Sequence, residues 1–163
     1  MNQKYTIEAL RELISVRRDS EQALRMCAGS LEAGPLRDLC AQGAAECADA
    51  VGELETLVER LGGEREARGA VPGLWRSGWA GLRAALAREE DGAILDSCER
   101  GESWILEAYR NALDDNLPEF VRDAVLRQFE LLMSTHDAIR GCRAQRPARG
   151  DPAAAPGAQA GQH

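Results

Sequence analysis

Asp96-Ser-Cys-Glu-Arg-Gly-Glu102 lies in the middle of a run, Ala93 to about Leu113, in which Leu95, Cys98, Ile105, Tyr109 and Ala112 recur at helical spacing. Glu99 and Glu102 fall on or beside that apolar seam, where a helix of a soluble protein normally keeps charge out. Working outward, a first helix is expected after a capping Thr6, with Ile7, Leu10, Ile14, Arg17, Glu21, Leu24, Ala28 and Leu31 on its seam. That seam is apolar except at Arg17 and Glu21. Gly34-Pro35 breaks the chain, and a second helix follows from about Leu36 to Leu61, striped by Leu36, Cys40, Gly43, Cys47, Ala50, Leu54, Leu57 and Leu61, flanked by Glu46 and stopped by Gly62-Gly63. On the other side, Asp114 to Pro118 turns into a last long helix, about Glu119 to Arg143, whose seam reads Val121, Val125, Gln128 or Phe129, Leu132, His136 and Ile139.

How the chain reaches Asp96 decides the architecture. The connection from Leu61 to Gly92 carries a shorter amphipathic helix, Leu74 to about Ala87, faced by Trp75, Trp79, Leu82 and Leu86. About 14 helical residues span ~20 Å, enough for the chain to travel back along the molecule. The next long helix then starts at the same end as the second, and Glu99 and Glu102 come level with Glu21, Glu46 and His136. The expected fold is all-α: an up-down four-helix bundle with one long crossover carrying a short extra helix. It occupies residues 1–143, and residues 144–163, rich in Ala, Pro and Gly and without periodicity, form a disordered tail.

Composition agrees with this outline and narrows the partners. With 163 residues, 44% of them hydrophobic, the chain can bury a core without disulfides or a structural metal. Five cysteines without a CxxC pair read as reduced, small core residues. The balance of 27 acidic against 20 basic residues argues against binding a nucleic-acid backbone. No apolar run approaches the ~20 residues that cross a bilayer, and the N-terminus has no apolar signal region, so no membrane and a cytoplasmic location are expected.

The order Asp19-Ser-Glu21, Leu61-Gly-Gly, Ser77-Gly-Trp79, Ala93-Ile-Leu-Asp-Ser-Cys-Glu-Arg-Gly-Glu102, Leu117-Pro with Val121-Arg122, and His136-Asp137 resembles a bacterial family of ferritin-like four-helix-bundle proteins of unknown function. The resemblance covers about residues 5 to 142 and implies a ferritin-like fold. The chain departs from it at Arg76, where His is expected, and at Gln42-Gly43, where Glu-Arg is expected.

Ferritin-like di-iron sites take one Glu from each of two helices and Glu-x-x-His from each of the other two. The candidate ligands for Fe or Mn are therefore Glu21, Glu46, Glu99, Glu102 and His136, although helix three offers Glu-x-x-Glu and Met133-x-x-His136 has no acid. The opposing reading pairs Glu21 with Arg17 one turn earlier, leaves Glu99 and Glu102 on a partly solvated edge near Arg100, and hydrogen-bonds His136 to a carboxylate such as Glu99. Trp75 and Trp79 are expected to cover the bundle, with Trp104 opposite Gly101 packing against that lid. Two functions follow. One is a non-catalytic structural or partner-binding bundle, meeting a protein partner or a second copy of itself, with at most a weak metal site and no required cofactor. The alternative is a di-iron or di-manganese carboxylate protein that oxidises or stores iron.

Overall fold

The computed structural model describes residues 3–65 and 79–145, which contain five helices and no strand. The helices are α1 (Gln3–Ser30), α2 (Pro35–Arg60), α3 (Leu82–Arg88), α4 (Asp91–Asp114) and α5 (Glu119–Gln145). None of them is long and apolar enough to cross a membrane. The four long helices lie close to their expected limits. Thr6 is the exception at the start: α1 already runs from Gln3, and Thr6 is buried within it rather than capping it. Pro35 opens α2, where its missing N–H is no loss. Gly62 closes it at φ 87°, with the Gly63 N–H reaching back to Val58 O at 2.9 Å, a turn that only glycine makes without strain. The extra helix, expected from Leu74, begins at Leu82 after a turn at residues 79–81, and Leu74 and Trp75 lie outside the described residues. At the far end α5 continues to Gln145, past the expected boundary at 143, and the rest of the expected tail lies outside the described residues.

Side-chain pairs fix the direction of every long helix. Arg11 reaches Glu64 O just past the end of α2 while Leu24 packs on Gly43 near its start, so α1 and α2 are antiparallel. Cys27 meets Cys98 and Arg17 meets Tyr109, which makes α1 and α4 antiparallel as well. Glu46 meets Thr135, Glu53 meets Arg127 and Arg60 stacks over Phe120, so α5 runs against α2; Tyr109 with Gln128 and Leu113 with Arg122 set it against α4 too. Each long helix thus packs on two antiparallel neighbours, and α2 and α4 point the same way. Asp91 therefore lies toward the end of the molecule at which α2 begins.

The core is one cluster of Leu, Ile, Val, Ala and Cys from all the helices. Trp79 belongs to it. Its side chain is fully buried, and its indole N–H donates to Ser20 Oγ at 3.0 Å. Gly101 makes the room: a Cβ there would lie 2.3 Å from the indole ring. Trp104 is half-buried, packs against the core and lines surface grooves on either side of α4; most of the lid it was expected to meet lies outside the described residues.

Candidate functional site

A hydrogen-bonded chain of polar side chains, drawn from all four long helices, crosses the interior. Arg17 on α1 is only 2% exposed. Its Nε donates to Tyr109 Oη on α4 at 3.0 Å, and its guanidinium reaches Cys47 Sγ on α2 at 3.4 Å while standing 5.3 Å from the centre of the Tyr109 ring. Tyr109 Oη donates in turn to Gln128 Oε1 on α5 at 2.6 Å, and Gln128 Nε2 donates to Glu53 Oε1 at 2.7 Å. Glu53 is held from outside by Arg127 at 2.9 Å. Arg17 reaches this position because α1 places it on the seam between Leu13, Ile14 and Leu24, where a long side chain can only extend inward between helices.

Glu102 faces the same interior and is 1% exposed. Burial pushes its carboxyl up from 4.5 to about 7; the positive charge of Arg17 pulls against this, and Glu46 and Cys40 add to the rise. Its Oε2 has no hydrogen-bond partner, which suits an acid that is partly protonated near neutrality. Burial alone would lower the Arg17 pKa, but Tyr109, Cys47 and Glu102 together hold it above its ordinary value, so the guanidinium is a permanent cation. The same burial raises Tyr109 and lifts the Cys47 thiol to about 11 in spite of Arg17.

The other sequence candidates are dispersed. Glu21 is half-buried and pairs with Arg25 at 3.0 Å, not with Arg17, which has turned into the core. Glu46 is half-buried on the seam between α2 and α5, accepting from Gln42 at 3.0 Å and Thr135 at 2.9 Å. Glu99 and His136 line one open groove of about 900 Å³ with Asp96, Arg100 and Arg140, on the side of α4 away from Glu102. The His136 Nδ1 there is buried without a partner. The structure therefore brings Glu46 within electrostatic reach of Glu102, and Glu99 beside His136, but does not gather the five. Among the described residues no three His, Cys, Asp or Glu side chains are grouped as a metal ion requires.

An iron or manganese pair, as the ferritin-like resemblance implies, does not fit this interior. The buried carboxylate Glu102 already faces a guanidinium that cannot lose its charge, and a divalent cation beside it would be repelled in a medium that screens poorly.

Residues 5–115 match the family described as a domain of unknown function, DUF2383. The chain belongs to that family. No curated protein matches the chain. The DUF2383 match takes in α1 to α4, and with them Arg17, Cys47, Glu102 and Tyr109, while Gln128 comes from α5 beyond its limit. Of these, sequence reasoning had singled out only Glu102 as a site residue. Arg17 carried a usable signal, as a charge on an otherwise apolar seam; Tyr109 and Cys47 carried none, because each passes for an ordinary core residue.

One more cluster lies in the interior. Cys98 Sγ on α4 lies 3.8 Å from Cys27 Sγ on α1 and 3.9 Å from Cys40 Sγ on α2. All three are fully buried, free thiols.

Proposed function

We propose that this DUF2383 chain is a ferritin-like four-helix bundle that works without catalysis, as a structural or partner-binding protein of the cytoplasm, and that its own guanidinium takes the place a metal would hold. The single observation that carries this is Arg17, buried at 2% exposure and hydrogen-bonded between Tyr109 and Cys47 beside Glu102. The antiparallel neighbours, with α2 and α4 pointing the same way, support the ferritin-like arrangement with one crossover. Phe120, Leu126, Leu131 and Met133 are exposed on α5, which makes that helix the natural place for a protein partner to bind.

The test is metal content and titration. Protein purified without an affinity tag is analysed for bound metal and titrated with Fe(II) and Mn(II) under anaerobic conditions. Far less than one equivalent should be retained, and no saturable heat should appear. One or two equivalents bound by the wild-type chain and lost in Glu102→Gln or Glu46→Gln would establish instead the di-iron or di-manganese alternative, with Glu21, Glu46, Glu99, Glu102 and His136 as the ligands to examine.

A further inference from the structure

Cys27, Cys40 and Cys98 come from three different helices and meet at one point, with Cys98 in contact with both of the others. Three small hydrophobes would fill the space equally well, and none of them could react with its neighbour. Disulfide formation requires the sulfurs to close from 3.8 or 3.9 Å to about 2.05 Å, a movement of roughly 0.9 Å for each, within reach of a change in χ1. All three residues sit near the same end of the molecule. Cys27 is in the last turn of α1, which ends at Ser30; Cys40 is in the second turn of α2, which begins at Pro35; Cys98 is in the second turn of α4, which begins at Asp91. Helix ends open locally at low free-energy cost, so a small oxidant reaches thiols that the time-averaged structure buries.

We propose that Cys98 is the shared partner in a reversible disulfide, made with Cys40 first and exchangeable to Cys27, which ties α4 covalently to α2 or α1 when the chain meets a peroxide. Cys40 is the thiol attacked by oxidant. It accepts S–H donation from Cys27 and Cys98, which favours its thiolate, whereas donating raises the other two. The Cys40 thiolate displaces hydroxide from hydrogen peroxide and becomes a sulfenic acid. The Cys98 thiol then attacks that sulfur and releases water. Overall two thiols and one peroxide give one disulfide and two waters; the sulfurs are oxidised and the peroxide oxygens reduced. Attack of the Cys27 thiol on the Cys98 sulfur moves the bond to Cys27–Cys98 and regenerates Cys40, with no further oxidant consumed. A dithiol reductant reverses either bond.

The folded full-length chain is treated with graded hydrogen peroxide, quenched with an alkylating reagent in denaturant, and mapped by non-reducing peptide mass spectrometry. Two of the five thiols should disappear per chain, linked as Cys40–Cys98 or Cys27–Cys98 in a monomeric product, and dithiothreitol should restore all five. Cys40→Ala, which lacks the thiol that takes the oxidant, should yield little or no Cys27–Cys98 at peroxide doses that oxidise the wild type; an undiminished yield overturns the assigned order. Cys98→Ala should form neither bond and leave Cys40 as a sulfenic acid trapped by dimedone, with folding checked by circular dichroism; if this variant does not fold, the yield in Cys40→Ala decides. The proposal is overturned by oxidation confined to the half-buried Cys142, by pairs through Cys47, by irreversible sulfonic products without a disulfide, or by the same pairs forming equally in urea-unfolded chain.

Discussion

Replacing Glu102 by Gln should abolish a fall in stability that the wild-type chain shows between mildly acid and mildly alkaline pH. Burial lifts the Glu102 carboxyl from 4.5 to about 7, the net result after Arg17 has pulled it back. Because the folded pKa is the higher one, the folded protein binds the proton more tightly than the unfolded chain. The stabilisation linked to that proton is fully present below about 4.5, is lost progressively as pH rises, and is gone above about 7. A difference of 2.5 units corresponds to about 3 kcal/mol at 1.36 kcal/mol per unit. Most of it is lost between pH 5 and 8. Urea unfolding at fixed ionic strength over that range should show the wild type weakening by roughly 2–3 kcal/mol and Glu102→Gln staying level over this contribution. Arg17→Met removes the cation that lowers the Glu102 pKa, so there the fall should extend to higher pH. A wild type whose stability is flat or rises from pH 5 to 8, or a Glu102→Gln variant that keeps the fall, would refute the idea that this acid is held partly protonated in a dry interior.

Two further perturbations probe the core. Trp79→Ala should cost ~3–5 kcal/mol, because a fully buried indole leaves a cavity and takes away the N–H that Ser20 Oγ accepts; Gly101→Ala should cost ~1–3 kcal/mol by driving a Cβ into that ring. In the double variant the second cost should largely vanish, and a strictly additive result by urea unfolding would show that the two do not share one contact. Arg17→Met alone should cost ~3–5 kcal/mol above pH 8, since it strands the Glu102 carboxylate, whereas Arg17→Met combined with Glu102→Gln, Tyr109→Phe and Gln128→Met should recover most of that loss. A combined variant weaker than the sum of its parts would mean that the polar layer stabilises the fold outright.

The long helices were legible because each carries its own three-four periodicity and its own stop, as at Gly62-Gly63. Helix rise and connection length led to the expectation that α4 starts at the same end as α2, and the described helices agree; that Cys98 meets Cys40 and Cys27 there was not read from the sequence. The site was less legible. Position on a seam says that a side chain faces inward, but a long side chain chooses its partner by tertiary geometry. Arg17 had two acids within reach of its helix face, Glu21 on the next turn and Glu102 across the core; Arg25 took the first, and Arg17 ended between Tyr109 and Cys47. Glu99 and Glu102, three residues apart on one helix, point to different surroundings, because a seam only two residues wide puts one of them in the core and the other in the groove beside His136. Spacing of three residues identified both as anomalous without separating them.

The interior polar groups differ in what they can respond to, and this bears on the proposed function. Arg17 keeps its charge at every accessible pH, so it cannot yield its place to an exchangeable cation, and a metal would have to displace a covalently attached one. Glu102 can take or release a proton, and its position between Cys98, one turn earlier on α4, and Tyr109, two turns later, places that proton between the thiol cluster and the Arg17 chain. The thiols alone can be oxidised. On the proposed reading, then, the core answers to protons and oxidants but not to divalent metal. Either event acts on residues anchored in several helices at once: Arg17 links α1 to α2 and α4, Tyr109 continues the link to α5, and a Cys98 disulfide would tie α4 to α2 or α1. A bundle joined in this way has its long helices held at one register from within, which leaves the exposed apolar side chains of α5 on a rigid element, the condition under which a partner surface loses least entropy on binding.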